Sequence, residues 1–369
     1  MFLSSLRLYQ YRNLADTTVE FCPHANFIHG LNGQGKTNLI EAISLLAAGR
    51  SFRTTHLKEL SRWGQKACSV FAHIVGAQGS FELGISIDDE KKLAYLNGER
   101  VELLSAFLGK VLAVTFSPTD LILVRGSPQE RRRFLDKHLI DFRPSLMAGL
   151  VDFHRALKNK NAILRSGHAD TKQLEVWDQI IAERSLELYG ARQEFLLQLQ
   201  ERAEAYAEQF SPQDGPISLC LKSNIGNESH EQLSVAKILE KIKTAREREI
   251  SNGVSSIGSH RDDVIIELGG KSAKAFASQG QARSVVLALK LAVIELIESR
   301  RNESPIVMLD DVESELDALR RAKLLELIFS KPRQVFLTGT QPPKELAGSQ
   351  KDYRCLEVQA GAVTNLGSF

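Results

Sequence analysis

Gly30-Leu31-Asn32-Gly33-Gln34-Gly35-Lys36-Thr37 carries the spacing G-x-x-x-x-G-K-[ST], in which each fixed residue type has a phosphate-binding task. The glycines let the backbone turn tightly with its N–H groups pointing inward at phosphate oxygens. Lys36 can reach the β and γ phosphates, and the Thr37 hydroxyl can ligate Mg²⁺. Asn38 follows at once and is counted with the loop as nucleotide-binding. Far downstream, Ile306-Val307-Met308-Leu309-Asp310-Asp311 ends an apolar run in two carboxylates. Asp310 is expected to hold Mg²⁺ opposite Thr37, directly or through water, and Asp311 to orient an attacking water. The chemistry these types could perform together is hydrolysis of a nucleoside triphosphate, with Lys36 and Asp311 as the catalytic pair.

Such residues need elements to place them. Asn26–His29 reads as a short strand entering the loop, and Leu39, Ile40, Ile43, Leu45 and Leu46 have helical spacing after it. The start of that helix offers a positive dipole end to the phosphates. The continuous apolar run before Asp310 suits a central parallel strand, whose C-terminal end faces the ligand crevice of an α/β sheet. Ser278-Gln279-Gly280-Gln281-Ala282-Arg283 precedes a further apolar helix. A Ser and a Gly at a helix start make a second anion cradle. One phosphate loop already serves one nucleotide, so Ser278 and Gly280 are expected to serve the nucleotide of a partner subunit; the alternative is a plain helix cap.

The rest of the chain fills in the frame. Leu6 and Leu8, then Val19 and Phe21, alternate as strands around an Arg12-Asn13 turn, which reads equally as nucleotide contact or as a simple turn. Residues 69–101 read as an antiparallel meander, and Val111–Phe116 as a buried strand. Ser127, Pro128 and Glu130 spell a helix start with a capping box. Arg131-Arg132-Arg133 then needs nearby carboxylates or an anionic partner at that helix end. Residues 145–210 keep helical spacing as two or three antiparallel helices, punctuated by Pro144 and Gly167-His168. Ile217–Leu221 is a short strand, and Leu233–Glu249 a helix with a basic face of Lys237, Lys241, Lys243 and Arg246, a solvated face or a nucleic-acid contact. Ser259-His260-Arg261-Asp262-Asp263 heads a strand at Val264–Leu268, and an ion-paired loop is favoured there over a metal or hydrolytic site. The last strand expected is Gln334–Leu337, followed by Thr338-Gly339-Thr340.

With 369 residues, 43% of them hydrophobic and 25% charged, the chain can build about two cores, and its net charge of +2 neither demands nor excludes a polyanionic partner. Cys22, Cys68, Cys220 and Cys355 lack metal-ligand spacing and are expected as thiols in a reducing compartment. The polar start and the charges Lys290 and Glu295 within Val285–Leu296 argue against a secretory signal and a membrane span, so a soluble cytoplasmic protein is expected.

The order of phosphate loop, Ser-x-Gly-x-x-Arg helix, apolar-Asp-Asp and Ser314-Glu315-Leu316-Asp317 resembles the ABC-type heads of the SMC-like ATPases. Within them it looks most like the RecF family of bacterial recombinational-repair proteins, nearly end to end. Gly49-Arg50-Ser51-Phe52-Arg53, Phe116-Ser117-Pro118 with Asp120-Leu121, Gly126-Ser127-Pro128 with Arg131–Asp136, and Ser259–Asp263 carry that closer likeness. Asp311 stands where transporter heads have Glu, and no switch histidine follows the last expected strand. The resemblance implies a head that dimerises on ATP, with Ser278 and Gly280 on the γ-phosphate in trans and Asp311 assisting slow hydrolysis. It also implies binding to single-stranded and double-stranded DNA, favouring gapped or junction DNA, and action with RecO and RecR in loading RecA.

The expected fold is α/β: an ABC-type P-loop ATPase head with an antiparallel β subdomain and an inserted helical subdomain. Residues 1–144 are assigned to the N-terminal part of the head, 145–250 to the helical subdomain, and 251–369 to the C-terminal part of the head. Two other readings are weighed: an ATPase subunit of a transporter, which would want a membrane partner and the switch histidine, and a nuclease-linked ATPase cutting through His260, Asp262 and Asp263.

Overall fold

The computed structural model describes residues 1–77, 79–88, 91–101, 109–166, 171–226, 232–341 and 353–368. Gly167-His168 lies outside them. The chain forms two compact units, Met1–Asp120 with Val293–Phe369, and Leu121–Ala292.

The first unit is built on two sheets. Strands β1 (Phe2–Tyr9), β2 (Thr17–Glu20), β4 (Ala67–Gly76), β5 (Gly79–Asp88), β6 (Lys91–Leu96) and β7 (Glu99–Val101) form an antiparallel sheet in the order β2-β1-β4-β5-β6-β7. Alternation decides its faces: Leu6 and Leu8 of β1, and Cys68, Val70, Ala72 and Ile74 of β4, point into the core while their neighbours do not. The second sheet contains β3 (Ala25–His29), β8 (Ala113–Phe116), β12 (Ile306–Leu309), β13 (Val335–Gly339), β14 (Tyr353–Gln359) and β15 (Ala362–Ser368), in the order β15-β14-β3-β13-β12-β8. Its neighbours are parallel except β15, which returns antiparallel to β14. Here the apolar runs are continuous because both faces are covered: β12 and β13 are buried throughout.

Helix α1 (Lys36–Ala48) supplies Leu39, Ile40, Ile43 and Leu46 to one core shared with Leu6 and Leu8 of the first sheet and Met308, Phe336 and Leu356 of the second. The short helices α9 (Val312–Glu315) and α10 (Ala318–Phe329) follow β12, and the Asp317 side chain caps α10 by accepting from the Arg320 N–H at 2.9 Å. Gln334–Leu337 is not the last strand: β14 and β15 follow it and complete the parallel sheet on the far side of β3.

The second unit is mostly helical. Helices α2 (Ile122–Arg125), α3 (Pro128–Phe142), α4 (Leu146–Arg165), α5 (Thr171–Phe210), α6 (Val235–Asn252) and α7 (Ala273–Phe276) accompany a small antiparallel sheet of β9 (Ile217–Lys222), β10 (Asp263–Leu268) and β11 (Lys271–Ser272). Helix α8 (Gln279–Arg301) begins in this unit. The stretch 145–250 thus lies within a compact unit that also holds α2, α3 and β10. Phe153, Ala156, Ile181, Leu188, Ile238 and Ile242 join α4, α5 and α6 in one core.

Ser127 precedes α3 and Pro128 opens it, but the capping box does not form. The Glu130 carboxylate takes Arg133 at 2.7 Å instead, since a full charge a turn away on the same helix outcompetes a neutral N–H. The other two cations of the cluster also find partners. Arg131 makes a two-pronged bond to Asp263 at 2.7 and 3.0 Å, and Arg132 donates to the Asp262 carbonyl at 2.6 Å. On the basic face of α6, Lys237 and Lys241 donate to the carbonyls of Gln232 and Ile225, and Arg246 pairs with Asp178. Lys237, Lys241 and Lys243 remain exposed on that face, and Arg246 is half-buried.

The buried ring of His138 and the partly buried ring of His260 both contribute to the acid response of this unit. Burial lowers the rings of His138 and His260 from the usual 6.5 to about 4; Lys137 adds to this at His138, and the Ser255 carbonyl opposes it at His260. Both rings are neutral in the fold, so their contribution is complete above the unfolded value and declines as pH falls from 6.5 towards 4. The loss should approach about 3 kcal/mol per ring. Urea unfolding across that range should show the decline, and the double variant His138→Gln, His260→Gln should flatten it. An equally steep curve in the variant would place the acid sensitivity elsewhere.

Candidate active site

The loop Gly30–Gly35 joins β3 to α1 at the C-terminal end of the parallel sheet. Two glycines are required by geometry as much as by chemistry. Gly30 has φ +148°, and a Cβ there would stand 2.3 Å from the Val358 carbonyl oxygen. Gly35 has φ +121°, and its Cβ would strike the side chains of Leu14 and Asn13 at 2.8 and 2.9 Å. Leu31, Asn32 and Gly33 are exposed at the crest of the loop. Lys36 Nζ crosses its mouth and donates to the carbonyls of Gly30 and Leu31 at 2.7 and 3.1 Å, leaving donor capacity for an incoming oxyanion.

The sheet order assembles the rest. β13 lies between β3 and β12, so the residues that follow those outer strands meet across it. Thr37 Oγ1 donates to Asp310 Oδ1 at 3.0 Å, and Thr338 Oγ1, on β13, donates to the same oxygen at 2.9 Å. Asp310 is 3% exposed. Burial pushes its carboxyl above the ordinary value, against the pull of the Thr338 and Thr37 hydroxyls. A buried carboxylate disfavoured as a bare ion, beside a threonine hydroxyl, is an oxygen donor set that suits a small hard divalent cation. Asp311 sits in the left-handed region, φ 51° and ψ 38°, with its N–H on Thr338 Oγ1 at 2.8 Å and its side chain exposed. The strained turn separates the two acids: one faces inward, the other outward at the sheet's end.

Several supports of this site have no sequence signature. Asn13 Nδ2 donates to the carbonyls of Gly33 and Gln34 at 3.3 and 3.2 Å, and Asn38 Nδ2 donates to Asn13 Oδ1 at 2.7 Å. Asn38 Oδ1 accepts from Arg53 at 2.6 Å, so the Asn38 side chain braces the loop from behind. Of the Arg12-Asn13 pair, Asn13 therefore holds the loop's backbone, while Arg12 makes a fork to the buried Glu41 carboxylate of α1 at 2.8 and 2.9 Å. The hairpin between β14 and β15 braces the other side. Its turn, Ala360-Gly361, has φ 49° and 83°, and the two N–H groups donate to Gln34 Oε1 at 2.5 Å and Gln34 O at 3.1 Å.

Ser278 and Gly280 belong to the second unit, at the start of α8. Ser278 and Gln281 form the reciprocal cap that α3 lacks. The Ser278 N–H donates to Gln281 Oε1 at 2.8 Å, and the Gln281 N–H to Ser278 Oγ at 3.2 Å. Ser278 is exposed, and as an acceptor in the cap it keeps its own hydroxyl proton to donate outward.

His260, Asp262 and Asp263 do not converge as a cation site. Asp262 is wholly buried and held by Arg192 at 2.5 Å and by the Ser223 hydroxyl, and Asp263 is held by Arg131. Their charges are used in ion pairs within the unit, as the loop reading expects. Among the described residues, no helix is long and apolar enough to cross a membrane.

The sequence pattern of the RecF/RecN/SMC N terminal domain matches residues 2–362. The DNA replication and repair protein RecF of Myxococcus xanthus is 34% identical over 98% of this chain and 97% of its own. That of a Geobacillus species is 37% identical over 92% of each. The solved structure of the recombination mediator protein RecF with ATP superposes with a TM-score of 0.89 at 27% identity, covering 99% of both chains. An Smc head, at a TM-score of 0.58 and 15% identity, shares the fold. These full-length matches do not favour the transporter or nuclease-linked readings. With an ABC-type ATPase head fold and a match that runs end to end, the chain belongs to the RecF family of DNA replication and repair proteins.

Proposed function

We propose that this protein is an ATP-dependent DNA-binding protein of recombinational repair, acting in the cytoplasm, whose ATP binding drives head dimerisation on gapped or junction DNA. The observation that carries the reading is the meeting of the Thr37 and Thr338 hydroxyls on buried Asp310 below the phosphate loop. The N–H groups of Gly33–Thr37 and the Lys36 ammonium bind the β and γ phosphates. Thr37 and Asp310 would hold Mg²⁺, which when bound neutralises phosphate charge and polarises the γ-phosphoryl group. Asp311 accepts a hydrogen bond from the attacking water and aligns it. Its exposure suits a slow clock, because bulk water competes for the same carboxylate.

Ser278 and Gly280 of one protomer close on the γ-phosphate held by the other, using the free Ser278 hydroxyl proton and the start of α8. ATP that bridges two subunits stabilises the dimer by mass action, and hydrolysis removes the bridge. Weak ATPase activity then resets the clamp. In this reading the protein works with RecO and RecR, and its product is RecA loaded on a single strand.

Two substitutions separate the steps. Asp310→Asn should keep ATP binding within a few-fold while hydrolysis falls by at least about a hundredfold, as read by phosphate release. Ser278→Arg should keep ATP binding and stay monomeric by size-exclusion chromatography with light scattering. A Ser278→Arg protein that still dimerises with ATP would remove the trans cradle from the account.

A further inference from the structure

Trp63 is 99% exposed, the most exposed large hydrophobic side chain among the described residues. Isolated exposed aromatics are common, but this one is carried on a backbone turn held by several hydrogen bonds. The Arg62 N–H donates to the Gln10 carbonyl at 2.7 Å, and the Gln65 N–H closes the turn on the Arg62 carbonyl at 2.8 Å. The Arg62 guanidinium locks it further, donating to the Leu14 carbonyl at 2.7 Å and to Asp16 at 2.6 Å. The segment being gripped, residues 10–14, is the one that carries Asn13 to the phosphate loop.

Trp63 thus forms one wall of a cleft of about 310 Å³ whose other walls are Arg12, Asn13, Asn38, Arg53 and Arg62. That volume lies at the small end of the ~300–1,000 Å³ range of ligand clefts. The cleft's position specifies what would enter it. Asn13 and Asn38 both line it and touch or adjoin the loop, so a molecule held by its phosphates at Gly33–Thr37 has this cleft beside it. Arg12 and Arg53 are committed to Glu41 and Asn38, which leaves the indole as the large open apolar face.

We infer that Trp63 is the stacking platform for the base of the nucleotide whose phosphates the loop holds. The inference rests on the nucleotide-binding reading of that loop and adds to it the place where the base is held. A π-face binds a base through its whole surface, with a contribution large enough to be read as an affinity change of about tenfold or more.

The chain has two tryptophans, so a Trp177→Phe protein reports on Trp63 alone. Its fluorescence should change saturably with ATP·Mg²⁺ and stay flat with inorganic triphosphate, which has no base. By calorimetry, Trp63→Ala should raise the Kd for ATP about tenfold or more and leave the Kd for inorganic triphosphate unchanged, and Trp63→Phe should retain most of the ATP affinity. An ATP Kd within twofold of the parent in Trp63→Ala overturns the platform. So does loss of binding to a single-stranded oligonucleotide in place of ATP, which would assign the indole to nucleic acid. If Lys36→Met loses ATP while Trp63→Ala does not, the phosphate reading stands and the platform alone falls. If the parent itself binds no ATP, both fall.

Discussion

Lys36→Met will lose ATP binding by more than about a hundredfold while leaving the fold intact. Among the described residues, the hydrogen bonds of Lys36 Nζ go to loop carbonyls, those of Gly30 and Leu31, and its side chain is half-buried. Its removal therefore changes stability by no more than the few tenths of a kcal/mol usual for such sites. Toward nucleotide the balance is different. Each charge-assisted hydrogen bond to a phosphate oxygen contributes about 1.5–3 kcal/mol. The ammonium can make at least one such bond to each of two phosphates, and together these exceed the ~2.7 kcal/mol that corresponds to a hundredfold in Kd. Calorimetric titration with ATP·Mg²⁺ measures this, and a urea unfolding curve for the same variant checks the fold. A Kd within threefold of the parent would mean that the loop binds something other than a triphosphate.

Arg192→Met will cost the second unit about 3–5 kcal/mol. Arg192 is 2% exposed and joins helices and loop: its Nη1 meets Asp262 at 2.5 Å and the Ser259 carbonyl at 2.8 Å, while Nε and Nη2 meet Asp136 at 3.0 and 2.8 Å. Methionine fills much of the same volume, so the main loss is electrostatic. Asp262, wholly buried, keeps the Ser223 hydroxyl as its one side-chain partner among the described residues. Burial already pushes the Asp262 carboxyl up, and Arg192 is the main charge pulling it down. Without Arg192 the carboxyl binds its proton more tightly in the folded state than in the unfolded chain. The deficit relative to the parent should therefore shrink as pH falls through the variant's Asp262 range and be largest at neutral pH. Asp262→Asn in the same background should restore part of the stability, since the two positions are in contact and couple. A deficit under about 1 kcal/mol at pH 7 would show that water compensates both carboxylates.

The contrast between these two sites explains what could be read from the chain. The phosphate loop and the apolar strand into Asp310-Asp311 are local patterns: strand, turn and helix are neighbours in sequence, and their periods announce them. The role of Thr338 is not local. It follows from β13 lying between β3 and β12, an order that no single segment encodes. The C-terminal hairpin was missed for a related reason. Its turn places Ala360 at positive φ, where Asn or Asp would have been the usual signal, and the bonds of Ala360 and Gly361 to Gln34 hold it there. The arginines were the hardest to read. Arg131 and Arg132 announce a need for carboxylates without naming them, Arg192 carries no local signal, and their partners lie 56 to 132 residues away. For Ser278 the cap with Gln281 was readable, since Ser-x-x-Gln before an apolar helix is a capping box; the trans role rests on the outward hydroxyl proton and on how two protomers meet.

The central claim is that ATP joins two copies of this chain around DNA. The measurement that tests it most directly is light scattering on the Asp311→Asn protein, with and without ATP·Mg²⁺, in the presence and absence of a short gapped duplex. Hydrolysis is slowed in this variant, so the bridged state should persist. The account predicts a mass that doubles on adding ATP and a doubled species that retains the duplex. A protein that binds ATP and stays monomeric, with or without DNA, would contradict it.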